Sequence, residues 1–318
     1  MTRNESDQDI VVAALRHAAP YIRMYKRKTF VVKAGGEAFI DPKQTRALLE
    51  QMAILHQVGI RLVLVHGAGP QSTAQAQKQG LDTTMVQGRR VTDAATLKVS
   101  EAVNADVRAQ IAAVCDELGM PTRGLVGAEG PVRARKRPPV EMGDAGLVDF
   151  GFVGDIESID AEMVQTYLDA GTVPVISPLG SDSDGTLLNI NADTIAASLA
   201  AALHAEKLIL ATGALGIFED LNDKGSLVSY TDLNGLNKLR ESGSLADGML
   251  PKAKAIELAV NGGVPRVHVI SFAVADGLLL EIFTNEGTGT LVVKSIEALT
   301  AEELMVDASA SGNAEVTT

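Results

Sequence analysis

Four short apolar runs in this sequence end in residues suited to handling phosphate-like anions. Lys33-Ala34-Gly35-Gly36 closes the first and His66-Gly67-Ala68-Gly69-Pro70-Gln71 the second. Ser177-Pro178-Leu179-Gly180 and Ala211-Thr212-Gly213 close the other two. Glycines at such ends let the backbone approach a ligand and leave N–H groups for anionic oxygens, above all where a helix begins next. One glycine pair after a strand means little, since tight strand-to-helix turns need glycine anyway. Two such loops, one preceded by lysine, narrow the field. Neither is a Walker P-loop, because no Gly-Lys-Ser/Thr follows. No G-x-G-x-x-G fingerprint is present either, so hydride transfer on a dinucleotide fold has little support.

Two helix starts add to the pattern. In Leu188-Asn189-Ile190-Asn191-Ala192-Asp193, either Asn191 or Asp193 can serve as an N-cap, and taken alone that plain reading wins. In Asp247-Gly248-Met249-Leu250-Pro251-Lys252, Pro251 fits the first helical position and Lys252 falls in the first turn. A cation there opposes the helix dipole unless it faces something negative, so Lys252 hints at a bound anion. A solvated surface lysine is the plain alternative. His66 has no metal partner or nucleophile near it in sequence and reads as a packing or hydrogen-bonding histidine.

The elements that must hold these residues are an alternation of strands and helices. The runs Thr29–Lys33, Arg61–Val65, Thr172–Ile176, Lys207–Leu210 and Arg266–Ile270 are β-branched and largely apolar between their ends, as strands buried on both faces of a mostly parallel sheet are. Ligands of such sheets sit outside the carboxyl ends of the strands, where the four motifs fall. Between them, Gln44–Val58 carries Leu48, Met52 and Leu55 at helical spacing. A long helix is predicted over Ala94–Leu118 with Asp93 as its cap, and an Ala-rich one from about Asp193 to Ala205. The fold class is α/β, with helices on both faces of one sheet. Gly124–Gly146, with Arg133, Arg135, Lys136 and Arg137, reads as a solvated hairpin, or alternatively as a mobile lid beside an anionic substrate.

Composition removes several function classes. With 28 basic against 40 acidic side chains, the net charge of -12 argues against nucleic-acid or anionic-membrane partners. Aromatics make up 3% and Trp is absent, leaving few stacking platforms for single-stranded nucleic acid. Cys115 is the single cysteine, so no intrachain disulfide or cysteine-based metal site can form. The polar start MTRNESDQDI lacks a signal peptide's apolar core, and no stretch is apolar enough to span a bilayer. A soluble, cytoplasmic protein is expected. The first ten residues and the small polar stretch from Asp307 are expected to be frayed ends.

Taken in order, these segments resemble the amino acid kinase family, and within it the branch acting on N-acetyl-L-glutamate. The resemblance runs from about Ala19 to Leu291. Besides the strand ends it includes Gly88-Arg89-Arg90-Val91-Thr92-Asp93, Asn189-Ile190-Asn191-Ala192-Asp193, Gly248-Met249-Leu250-Pro251-Lys252 and Gly287-Thr288-Gly289-Thr290. It implies a three-layer αβα sandwich and transfer of the γ-phosphoryl of ATP to the side-chain carboxylate of acetylglutamate, a step of arginine biosynthesis. The implied layout is an N-terminal extension and helix (1–27), an acetylglutamate-binding and dimerisation lobe (28–180), an ATP-Mg2+ lobe (181–303) and a disordered tail (304–318).

By the same resemblance Lys33 and Lys252 flank the transferring phosphoryl, and Asp193 orients both. Backbone N–H groups of Gly35, Gly36, Gly67 and Ala68 bind phosphoryl oxygens, Arg90 clamps the substrate's α-carboxylate, and Asn189 also contacts it. No residue is implied as a metal ligand. The stretch His17–Ile22 resembles the extra helix of arginine-inhibited hexameric members, in which arginine lies against residues matching Tyr21, His268, Glu281 and Gly287. Arginine inhibition and a homo-oligomer, dimer or hexamer, are therefore expected. Some positions depart from the pattern. Ala68 stands for a glycine, Ala211-Thr212-Gly213 for Leu-Thr-Asp/Asn, Gly124-Leu125-Val126-Gly127 for Gly-Leu-Ser/Thr-Gly, and Ser271-Phe272 for Asp-Gly. His17–Glu37 and the tail after Val292 also resemble the arginine-binding, kinase-like domain of N-acetylglutamate synthases. A non-catalytic arginine-binding regulator is thus the alternative, against which stand Lys33, Arg90, Asn189, Asp193 and Lys252, which a pure sensor does not need. A third option is a kinase for another acylated amino acid such as aminoadipate.

Overall fold

The computed structural model describes residues 5–81, 84–86, 89–141, 143, 146–245, 248–284 and 287–296. In chain order the first elements are α1 (Glu5–Tyr25), β1 (Thr29–Ala34), α2 (Pro42–Gln57), β2 (Arg61–His66), α3 (Gly69–Lys78), β3 (Met85–Val86), β4 (Arg89–Arg90) and α4 (Ala94–Glu117). Next come β5 (Thr122–Leu125), β6 (Val132–Lys136), β7 (Val140–Glu141), β8 (Leu147–Val148), β9 (Gly154–Ile159), α5 (Ala161–Asp169), β10 (Val173–Ile176), β11 (Leu179–Ser181) and β12 (Leu187–Asn189). The last are α6 (Ala192–Ala202), β13 (Lys207–Thr212), β14 (Tyr230–Asp232), α7 (Leu233–Glu241), α8 (Leu250–Asn261), β15 (Arg266–Ser271), α9 (Gly277–Phe283) and β16 (Thr290–Val293).

Eight strands form the main sheet in the order β14-β16-β15-β13-β1-β2-β10-β5. Every neighbouring pair is parallel except β15 with β16. All five predicted strands are present. Side chains alternate across a sheet, so β1 feeds two cores. Val31 joins Val63, Leu208 and Leu210 against Ile195 of α6 and Ile256 of α8. Phe30 and Val32 join Leu62, Leu64 and Ile209 against Leu48, Met52 and Leu55 of α2 and Leu278 of α9. Two aliphatic cores back to back make the three layers. A smaller sheet of order β12-β11-β6-β9 lies apart from the main one. The expected hairpin within 124–146 is corrected: β6 pairs antiparallel with β9, beyond that segment, and Arg137, just past β6, bonds Asp155 at 2.9 Å.

The helix starts follow their local chemistry. Asp93 caps α4 by accepting from Thr96 N at 2.7 Å, as its position implied. Asn191, not Asp193, caps α6, accepting from Thr194 N at 3.1 Å. That helix ends at Ala202, three residues short of the expected Ala205. Leu250 opens α8, so Pro251 occupies its second position rather than its first; a missing N–H costs nothing at either. At the amino terminus the expectation of fraying over ten residues is corrected. Helix α1 already begins at Glu5, since extending a nucleated helix by a turn costs little. Residues 1–4 and the expected tail over 304–318 lie outside the described residues. No helix among those described is long and apolar enough to cross a membrane.

The central strands carry much of the stability. Leu64 on β2 is fully buried beneath α2. Leu64→Ala is expected to lower the unfolding free energy by about 3 kcal/mol, the usual cost of a large-to-small change in a rigid core, as measured by urea denaturation. A loss well below about 1 kcal/mol would show that this layer is not tightly packed.

Candidate active site

Lys33 is an ammonium inside a sheet. Two residues beyond Val31 on β1, it points to the face covered by α6 and is 6% exposed. The first turn of α6 supplies its partner, with Lys33 Nζ 2.8 Å from Asp193 Oδ1. Ala196, Ala197 and Ala200 are fully buried on α6, and such small side chains let the helix lie close to the strand. Helix α8 packs beside α6, and Lys252 in its first turn donates to Asp193 Oδ2 at 3.3 Å. The lysine set against its helix dipole thus has a carboxylate opposite it, and the solvated-surface alternative fails. Asp193 in turn is favoured by the dipole of α6. Burial works to raise the Asp193 pKa, but the charges of Lys33 and Lys252 outweigh it and hold it below the usual carboxylate value.

The group opens into a cleft of about 300 Å³, lined among others by Lys33, Gly35, Thr212, Phe218, Leu245 and Lys252. Cations on one wall and apolar side chains on the other suit a nucleotide polyphosphate and its base. The two glycine loops meet beside it. A Cβ at Gly67 would lie 3.1 Å from Gly36 N, and one at Gly36 would lie 2.5 Å from Gln71 Oε1. A side chain at Gly36 would force Gln71 and Pro70 to shift, and one at Gly67 would be a tight fit against the Gly36 backbone. Gly67 N donates to Ala34 O at 2.8 Å and Gln71 Nε2 to Gly36 O at 2.7 Å, fixing one loop to the other where α3 begins.

Arg90 reaches the same helix start. Its Nη2 donates to Gly69 O at 3.3 Å and to the Thr73 hydroxyl, while Nη1 is buried without a hydrogen-bond partner among the described residues. A buried guanidinium N–H with no acceptor is costly, which suits a carboxylate ligand. Burial lowers the Arg90 pKa. Asn189 Nδ2 donates to Thr92 Oγ1 at 3.3 Å, and Asn189 N to Phe152 O at 2.8 Å. Thr92 is itself fully buried, with its N–H on Phe150 O and its carbonyl accepting from Phe152 N. Arg90 and Asn189, 99 positions apart in the numbering, are thus joined through Thr92.

His66 is wholly buried and accepts the part expected of it, hydrogen bonding. Arg108 Nη1 donates to Ser177 Oγ at 2.7 Å, and the same hydroxyl is hydrogen-bonded to His66 Nε2 at 2.9 Å. Burial pushes the imidazole down to about 4. Arg108 and Thr73 are absent from the sequence reading, and Thr92 figures there only within the segment Gly88–Asp93. Gly124 was the available signal for Arg108, since a Cβ there would lie 2.6 Å from Arg108 Cδ.

A second cluster lies on the opposite face of the sheet. Lys207 Nζ donates to His268 Nε2 at 2.9 Å, and His268 Nδ1 donates to Glu281 Oε1 at 2.7 Å. Glu281 Oε2 also accepts from Thr288 N at 2.6 Å, and Gly287, with φ of 59°, packs against that carboxylate. Burial, then Lys207, hold His268 well below its ordinary value against the pull of Glu281. For Glu281, burial acts upward but the bond from His268 prevails and the carboxyl falls to about 2. Tyr21 packs on the neighbouring core of Leu278 and Ile282, while the ring over Lys207 is that of Tyr25, at 5.1 Å. The structure therefore brings His268, Glu281 and Gly287 together, with Lys207 and Tyr25 as members that sequence reasoning missed.

Two lysines clipped by one aspartate at the carboxyl end of a parallel sheet, flanked by paired glycine loops, define a class of phosphoryl-transfer enzymes. Residues 28–271 match the amino acid kinase family, and the chain belongs to it. It is 45% identical over 289 residues to the acetylglutamate kinase of Myxococcus xanthus, covering 89% of this chain and 94% of that one. It is 38% identical over 297 residues to the acetylglutamate kinase of Caldanaerobacter subterraneus, covering 92% and 97%. The N-acetylglutamate synthase of Neisseria gonorrhoeae, solved with coenzyme A and L-arginine, superposes with a TM-score of 0.80 at 29% identity. The match covers 89% of this chain, which spans 65% of that synthase.

The His66 environment sets a pH response. Its folded pKa lies below the ordinary 6.5, so on acidification the unfolded chain takes up the proton first. Stability is then lost as pH falls from about 6.5 towards 4. Between pH 7 and pH 5 this amounts to about 2 kcal/mol. His66→Gln is expected to flatten the stability–pH curve by that amount in urea melts, and an unchanged slope would contradict the assignment.

Proposed function

We propose that this chain transfers the γ-phosphoryl group of ATP to the side-chain carboxylate of N-acetyl-L-glutamate, a step of arginine biosynthesis. The observation that carries this reading is the pair Lys33 and Lys252 held by Asp193 at the wall of the cleft. The likeness to acetylglutamate kinases supports the acceptor. The acceptor carboxylate is ionised at neutral pH, so the nucleophile needs no general base. Its oxygen forms a bond to the γ-phosphorus as the bond to the β,γ-bridging oxygen breaks, and ADP departs with that electron pair. Positioning and charge stabilisation are what remain for the protein to supply.

Lys33 and Lys252 would neutralise the phosphoryl oxygens from two sides, and Asp193, ionised by those lysines, would hold both in place. N–H groups of Gly35, Gly36, Gly67 and Ala68 would bind the same oxygens. The buried Nη1 of Arg90 fits the α-carboxylate of acetylglutamate, with Asn189 alongside. Lobes over 28–180 and 181–303 would carry acceptor and nucleotide respectively. Mg2+ would enter with ATP and offset the charge of its β- and γ-phosphates. Among the described residues no three His, Cys, Asp or Glu side chains cluster to hold a metal.

Arginine is proposed to regulate the enzyme by binding at the cluster of His268, Glu281 and Gly287, with Tyr21 on the adjoining core as a further contact. The synthase solved with L-arginine supports this, as does the charge of Glu281. Helix α1 exposes Ile10, Val11 and Leu15, an apolar strip that suits assembly of dimers into a hexamer. The synthase likeness also favours a second reading, a non-catalytic arginine-binding protein, and a coupled assay with ATP and acetylglutamate separates the two.

In that assay Lys33→Ala and Lys252→Ala are each expected to lower kcat at least about a hundredfold, the scale of losing one preorganised donor. Wild-type protein that binds arginine but releases no ADP would establish the regulatory reading instead. Deleting the residues before Lys28 is expected to abolish arginine inhibition and reduce a hexamer to dimers in light scattering. A truncated enzyme that keeps both would remove the role given to α1.

A further inference from the structure

Glu37 stands where a carboxylate is hard to explain by packing. It follows the first glycine loop, and among the described residues lining the cleft it is the one acidic side chain. Its carboxylate folds back over Gly35, so that a Cβ there would fall 2.3 Å from Glu37 Oε2 and 3.9 Å from Lys33 Nζ. Gly35 has an ordinary φ of -64°, so space rather than backbone freedom calls for glycine. Glu37 itself is exposed and forms no side-chain hydrogen bond or ion pair among the described residues. An anion beside the bed of a polyphosphate repels it by Coulomb's law unless a cation stands between them. Asp193, the other carboxylate nearby, is buried and already has one oxygen at Lys33 and the other at Lys252, whereas Glu37 is exposed with no cation on it among the described residues.

We infer that Glu37 is the protein carboxylate that meets the Mg2+ of the bound nucleotide, making the cleft selective for metal-complexed over free nucleotide. The inference rests on the nucleotide reading of the cleft. Small divalent ions in such sites take one or two carboxylates together with phosphate oxygens and water, and one exposed carboxylate beside the phosphates meets that need. Electrostatically the pair of states is clear. Without the ion Glu37 opposes the phosphates; with it, Glu37 holds them.

Calorimetric titration of the full-length protein with ADP, in Mg2+ and in chelator, tests this without turnover. Glu37→Gln keeps the shape and removes the charge on an exposed turn, and an unchanged melting temperature verifies the fold. The wild type is expected to gain affinity on adding Mg2+. In Glu37→Gln that gain falls by about tenfold, the scale of losing a group that supports a metal, while metal-free ADP binds as well or better. An equal Mg2+ gain in both proteins overturns the inference and leaves the nucleotide reading standing. Loss of metal-free binding in the variant also overturns it, because Glu37 would then be shaping the loop. Wild-type protein that binds ADP under neither condition overturns the nucleotide reading and the inference with it.

Discussion

Two ammonium groups brought to one end of a sheet repel each other, by about 2–3 kcal/mol at separations near 6 Å and an effective dielectric constant of about 20. The carboxylate of Asp193 removes that obstacle by giving one oxygen to each lysine. Everything around it follows from this constraint. Helix α6 must start beside the end of β1, which its buried alanines allow. Helix α8 must bring its own first turn to the same point, although a cation there opposes its dipole. The two lysines and the aspartate together carry a charge of about +1 in a chain whose total is -12. Local placement of a few cations, rather than overall balance, makes the cleft attractive to anions.

Much of this was legible in the residues. Strands such as Arg61–Val65 announce themselves because burial on both faces demands unbroken apolar side chains. Asp93 was readable as a cap because its effect reaches only three residues along. Lys33, Asp193 and Lys252 could be named, although that Asn191 and not Asp193 caps α6 became clear only from the fold. A capping residue and a buried ion-pair residue look alike in one dimension. Their difference is set by what packs opposite.

The illegible parts are those made by distant segments meeting. Arg108, Ser177 and His66 come from a helix and two strand ends, and nothing local marks them as one hydrogen-bonded chain. Thr92 ties Arg90 to Asn189 through its hydroxyl, which faces the Arg90 carbonyl and accepts from Asn189 Nδ2 across a long stretch of chain. On the other face, Lys207 opens an apolar strand and is buried, which became meaningful only once His268 and Glu281 lay beside it. Tyr25 and Tyr21, one helical turn apart, could be sorted only by seeing which ring covers Lys207. Glu37 reads as an ordinary surface acid until its carboxylate is found over Gly35.

The smaller sheet of β12, β11, β6 and β9 has a meaning for descent. Asn189 stands on β12 of that sheet and bonds Thr92 beside Arg90, whereas Lys33 and the glycine loops stand on the main sheet and Lys252 on α8. The two mountings touch where Arg90 meets Gly69 and Thr73 and are otherwise built from different residues. A lineage could reshape the mount beside Thr92 to receive a different acid while inheriting the phosphate machinery whole. Diversity among kinases of this build is then a matter of replaceable fittings on a constant frame.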